Sequence, residues 1–143
     1  MAGKFLIDLT DARFLIASND DVMAFVRRTS PSAHSDVGSV LLSLGKQIVG
    51  SHAYCPSYRS MAYVVLHTES SRIFAIAFGQ RGLAFRLATR TIAEALADGG
   101  TPAPEIGSDW VSFPPWSPKD PAAGNARLAR WSAAAFQNAA SID

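Results

Sequence analysis

From 62 to 88 the chain alternates three apolar runs with two polar breaks, the pattern of short strands over 62–67, 73–78 and 83–88. Thr68-Glu69-Ser70-Ser71 makes the first break, and Gly79-Gln80-Arg81-Gly82 makes the second with two glycines able to adopt positive φ in a hairpin loop. An antiparallel meander is predicted. Four-residue loops set Phe78 opposite Leu83, Ile76 opposite Phe85, Phe74 opposite Leu87, Val65 opposite Phe74 and Tyr63 opposite Ile76. That register gathers the large apolar side chains on one face. The other face takes Val64, Ala75 and Arg86 in one row, Leu66, Ile73 and Ala88 in the next, and the pair Ala77 and Ala84.

Upstream the apolar period changes from two to about 3.6. Ser35 is placed to cap a helix over 36–49, whose stripe is Val37, Val40, Leu41, Leu44 and Ile48, with Gly50 as its stop. Asn19 or Asp20 opens a shorter helix through Val22, Phe25 and Val26, stopped by Pro31. The first seventeen residues fit strand and helix equally. Downstream, Thr91-Ile92-Ala93-Glu94 has the spacing of a capping box and opens a helix ending at Gly99-Gly100. A loop containing Pro102 and Pro104 leads to a fourth strand over 109–113, which Pro114 and Pro115 terminate. Asp120 then caps a last helix with Pro121 at its first position and Leu128, Trp131, Ala135 and Ala139 as its buried stripe.

Strands followed by helices, rather than strict alternation, predict the α+β class: an antiparallel meander sheet with helices packed mainly on one face. The 143 residues fit a single domain in three parts, an N-terminal helical part over 1–60, a three-stranded meander over 61–88 and a helix-strand-helix unit over 89–143. The run Ile73-Phe74-Ala75-Ile76-Ala77-Phe78, then Leu83-Ala84-Phe85-Arg86-Leu87, a helix, Asp109-Trp110-Val111-Ser112-Phe113 and a final helix resembles the MmcQ/YjbR family over about Met61 to Ala139. More distantly it is similar to the N-terminal domain of the TfoX competence regulators. The resemblance implies a YjbR-like fold, no established catalytic mechanism, and a DNA-binding label that derives from likeness to winged DNA-binding folds. Arg86 stands where that family usually has lysine, and the segment before Trp110 is proline-rich here.

Composition narrows the function classes. With 48% apolar and 17% charged residues the chain is not a disordered, charge-rich one. Thirteen basic against twelve acidic residues exclude a strongly basic nucleic-acid binder. No secretion signal follows Lys4, because Asp8 interrupts the apolar run Phe5-Leu6-Ile7. The longest stretches free of formal charge, 47–58 and 131–142, are too short and polar for a membrane span. Together with the lone Cys55, which cannot form an intramolecular disulfide, these features predict a cytoplasmic protein without a membrane partner.

Charge is nonetheless uneven. Arg59, Arg72, Arg81, Arg86 and Arg90 face a single acid, Glu69, between 59 and 90, whereas three bases and six acids follow Arg90. Arginine suits bidentate recognition of phosphate or carboxylate, so these five are the candidate contacts to nucleic acid or another anionic ligand. Alternatively they pair with the acidic C-terminal third, with Glu94, Asp98 and Glu105 as candidate partners.

His52 and Cys55 are the weak catalytic candidates, since an imidazole can draw the proton from a thiol and only the thiolate attacks. Against that stands a buried cysteine beside a loop histidine. Adding His34 or His67 gives no paired ligand spacing, so no metal and no cofactor are predicted. Asp20 and Asp21 read as carboxylates at a helix start. Gly79-Gln80-Arg81-Gly82 matches a nucleic-acid clamp as a string but joins strands where that clamp joins helices. Trp110 to Pro118 serves either as a proline-rich ligand or as aromatic cover for the core, with Trp116 over its edge. Three readings follow: a non-enzymatic domain binding an anionic partner through its meander, a small enzyme using Cys55 and His52, and a homodimeric interaction module.

Overall fold

The structure is a computed structural model. It describes residues 14–29, 35–54, 63–78, 82–114 and 121–140. A 3-10 turn (Ala17–Asn19) leads into α1 (Asp20–Thr29), followed by α2 (Ser35–Lys46), β1 (Ser51–Tyr54), β2 (Tyr63–His67), β3 (Ile73–Phe78) and β4 (Gly82–Arg86). Next come α3 (Thr89–Ala97), β5 (Thr101–Pro102), β6 (Trp110–Ser112) and α4 (Pro121–Ala140). Among the described residues the strands form one antiparallel sheet in the order β1-β2-β3-β4-β6-β5. This is an α+β fold.

The predicted meander extends further than its sequence signal. β1 adds a fourth strand ahead of it, inside the part expected to be helical, with Ala53 against Val65 and Tyr54 against Val64. β5, in the expected proline-rich loop, adds a two-residue edge beside β6. Pro102 is tolerated there because an edge strand can spare a ladder donor.

The register differs by one residue from the predicted one. Phe78 pairs with Gly82, Ala77 with Leu83, Ile76 with Ala84 and Ala75 with Phe85. Gly82 pairs with Phe78 as the first residue of β4, and a side chain there would collide with the Phe78 carbonyl. On the other side Val65 pairs with Ala75 and Leu66 with Ile73, so Phe74 is the extra residue of a bulge. The bulge turns Phe74 and Ala75 to the same side of the sheet, while Ile73 and Ile76 face the other. Phe74, Ile76 and Phe85 are all buried, but not on a common face.

Both faces are covered. Val37, Leu41 and Leu44 of α2, Ala95 of α3, and Leu128, Trp131, Ala135 and Ala139 of α4 pack on Val65, Phe74, Phe85, Val111 and Phe113. The opposite face, bearing Val64, Leu66, Ile73, Ile76 and Trp110, is closed by Phe14, by Val22, Met23, Phe25 and Val26 of α1, and by Ala103 and Ile106. Among the described residues helices thus gather mainly on one face, with α1 on the other. At α3 the capping box does not form. Ala88 is the N-cap, Thr91 Oγ1 donates back to the Ala88 carbonyl, and Glu94 accepts from Arg130. The helix ends where expected, with the Gly100 N–H donating to the Ala95 carbonyl.

Candidate functional site

The candidate residues fall into three places. His52 lies on β1 opposite Leu66, its ring edge-on to Tyr54 at 6.2 Å. Cys55 lies outside the described residues, as do Arg59, Arg81, His34 and Trp116. His67 is buried; its Nδ1 accepts the Ser70 N–H at 3.1 Å and its ring lies 4.9 Å from Phe136, so it shapes the β2–β3 turn. Among the described residues no group of His, Cys, Asp or Glu could hold a metal ion.

Three meander arginines are described, and two of them act inside the fold. Arg86 Nε donates to Asp109 Oδ2 at 2.8 Å, and its Nη1 donates to the Ser18 carbonyl. Only 15% of the Arg86 side chain is exposed, so this pair joins β4 to the segment before β6 and to the N-terminal 3-10 turn. The acid that meets it is Asp109, not Glu94, Asp98 or Glu105. Arg72 donates to the Asn138 carbonyl at 3.4 Å and to Ser18 Oγ at 3.5 Å. It thereby meets a carbonyl in the last turn of α4, where the helix dipole favours a cation. Arg90 is exposed on the first turn of α3.

Around Arg86 the polar contacts continue to hold α1 on the sheet. Asp21 Oδ2 accepts the Trp110 indole N–H at 3.2 Å and its Oδ1 accepts the Val22 N–H at 2.7 Å. Asn19, fully buried, donates to the Ser71 carbonyl at 2.9 Å and accepts the Ile73 N–H at 2.8 Å. Asp20 and Asp21 therefore serve the helix start and its docking. Glu94 and Asp98 are met from α4, by Arg130 at 3.3 Å and 3.9 Å, and Asp98 also accepts the Trp131 indole N–H at 2.7 Å.

A concave feature lies elsewhere, between α2 and α4 on the outer side of their shared core. It is a cleft of about 560 Å³ lined by Ser39, Val40, Ser43, Leu44, Gln47, Asn125, Ala126, Leu128 and Ala129. Ser39 and Ser43 lie one turn apart on one side of α2, and Gln47 follows in the turn just past its end. Val40, Leu44 and Leu128 make the floor, since the same side chains pack on the core beneath. Asn125, Ala126 and Ala129 form the opposite wall on α4. Among the described residues the lining carries no charge. Arg127 and Arg130 of α4 are turned away, Arg127 toward Gly99 and Arg130 toward Glu94. Uncharged donors and acceptors over an apolar floor can hold a neutral amphipathic ligand and offer no acid or base for chemistry. The sequence held a signal for this wall, the four-residue polar period beside the α2 stripe, but the partner wall on α4 is over seventy residues away.

No helix of the described residues is long and apolar enough to cross a membrane. No protein-family model matches the chain, and no curated protein and no solved structure matches it.

Proposed function

We propose that this protein is a non-enzymatic binding domain whose ligand seat is the groove between α2 and α4. The observation that carries this reading is the lining: four uncharged hydrogen-bonding side chains above an aliphatic floor, in a cleft of about 560 Å³. Ligand pockets commonly fall between about 300 and 1,000 Å³ and combine apolar walls with a few polar groups. An anionic partner, nucleic acid included, has less to meet: Arg72 and Arg86 are engaged within the fold, which leaves Arg90 among the described meander arginines.

The test is binding of Nile red, a neutral fluorophore whose emission shifts to the blue on leaving water. Saturable binding by the wild type is expected, together with its loss in Ser43→Trp and Ala129→Trp, which fill the groove from exposed wall positions. Unchanged binding by both variants, or binding of a short DNA duplex that depends on neither, overturns the reading.

A further inference from the structure

We infer that β1 is the seam of a two-fold dimer, in which the sheet runs on from one copy of this chain into a second through antiparallel pairing of β1 with itself. The backbone sets the geometry. The His67 N–H donates to the Arg72 carbonyl and the His67 carbonyl accepts the Ser71 N–H, so His67 bonds away from β1 and from its cross-strand neighbour Ser51. The Thr68 N–H donates to the Gly50 carbonyl, which fixes the same alternation one residue earlier. His52 and Tyr54 therefore bond to β2. Ser51 and Ala53 aim their N–H and C=O outward, where no strand lies among the described residues. The two edges of the sheet are unlike. β5 is two residues long and contains Pro102, a device that discourages pairing with another chain, whereas Ser51-His52-Ala53-Tyr54 has no proline, no lysine and no bulge.

A second copy is the occupant that this edge fits. A two-fold axis at His52 sets Ser51 of each copy against Ala53 of the other, so every outward N–H of both strands meets an outward carbonyl. A register that opposes His52 to Ala53 is excluded, because their side chains lie on opposite faces. The two-fold also covers what the edge leaves bare. α2 lies over β1, β2 and β3, and strand spacing of about 4.8 Å brings the two α2 axes to about 14 Å across the axis, one layer of side chains beyond direct helix contact at about 8–10 Å. Leu42 stands on that flank. It lies one turn from Gly38 and one from Gly45, the glycines set against Tyr63 and Ala53; it is half-buried and belongs to neither core cluster. Val49, between α2 and β1, is 95% exposed, more than any other large apolar side chain among the described residues. An isolated peptide strand would gain the same backbone bonds without a second α2 to cover Leu42. A net charge of +1 puts little general repulsion between two copies.

The experiment is sedimentation equilibrium of the full chain from about 1 μM to about 1 mM, where a reversible shift from 15.2 kDa toward twice that mass is expected. Ala53→Pro removes an outward N–H from each copy and should raise the dissociation constant about tenfold or more, two hydrogen bonds being lost from the dimer. His52 faces its own counterpart on the axis, so His52→Glu and His52→Lys should each weaken the dimer about two- to fivefold, and an equal mixture of the two should sediment heavier than either alone. That pair decides the question if the proline variant does not fold. A chain that stays monomeric through the top of the concentration range overturns the inference, whatever else pairs with the edge. So does a dimer that a folded Ala53→Pro leaves as tight as wild type, or a mixture no heavier than its components, since either puts the contact somewhere other than β1.

Discussion

Replacing Arg86 by methionine separates an arginine that holds the fold from one held out to a partner. The guanidinium makes two hydrogen bonds, to Asp109 and to the Ser18 carbonyl, with 15% of the Arg86 side chain and 29% of the Asp109 side chain exposed. A hydrogen bond to a charged group contributes about 1.5–3 kcal/mol. Asp109 keeps some access to water, so the combined loss belongs near the low end, about 2–4 kcal/mol. Arg86→Lys keeps the charge but not the fork, and should lose about half as much by the same scale. Adding Asp109→Leu to Arg86→Met removes the stranded carboxylate and should recover the part of the loss due to Asp109, leaving the part due to the Ser18 carbonyl. Urea denaturation with a common slope measures all four proteins. A loss below about 0.5 kcal/mol for Arg86→Met, the range of ordinary surface substitutions, would refute the reasoning. A weaker hold on duplex DNA at unchanged stability would refute it as well and return Arg86 to an anionic partner.

Gly38→Ala drives a methyl into the Tyr63 ring; overpacking of about 1–3 kcal/mol should outweigh the helix gain of about 1 kcal/mol, and in a Tyr63→Ala background the same change should stabilise, a sign reversal read by a double-mutant cycle. Asn19→Leu strands the buried Ile73 N–H and the Ser71 carbonyl, and should cost about 2–4 kcal/mol with faster hydrogen exchange at Ile73. Trp131→Phe loses the indole bond to Asp98, and should cost about 2–3 kcal/mol in denaturation while making a further Asp98→Asn change nearly neutral.

What the sequence revealed depended on how far each signal reached along the chain. Helical stripes are local, so the Val37, Leu41, Leu44 face of α2 and the Leu128, Trp131, Ala135, Ala139 face of α4 are buried as the spacing requires. Register is not local. The bulge at Phe74 inserts one residue where Ile73-Phe74-Ala75-Ile76-Ala77-Phe78 reads as an unbroken apolar strand, apolar on both faces and so without alternation to betray the slip. β1 escaped because Ser51-His52-Ala53-Tyr54 lacks branched apolar residues, and β5 because two residues with a proline carry no pattern. The pairing of Arg86 with Asp109 was foreseeable only as a charge balance between regions; which acid it meets is set by the Arg86–Trp110 register, which brings the residue before β6 alongside. The groove needed two helices brought together by the sheet.

The contacts that fasten the N-terminal turn and α1 bridge long stretches of chain: 52 residues from Asn19 to Ser71, 68 from Ser18 to Arg86 and 89 from Asp21 to Trp110. β2, β3 and β4, by contrast, join through adjacent hairpins. Closing a longer loop costs more entropy before any contact rewards it, so the meander is expected to zip early and α1 to dock after it. The same order in reverse makes α1 the first to lift under native conditions, with its amides exchanging at a lower free energy than those of Ile76 or Phe85. Each such opening lifts Val22, Met23, Phe25 and Val26 off the sheet face that bears Val64, Leu66, Ile73 and Ile76 and leaves it partly uncovered. A chain in which α1 has not yet docked carries that face partly uncovered, and slower docking is expected to raise its tendency to aggregate.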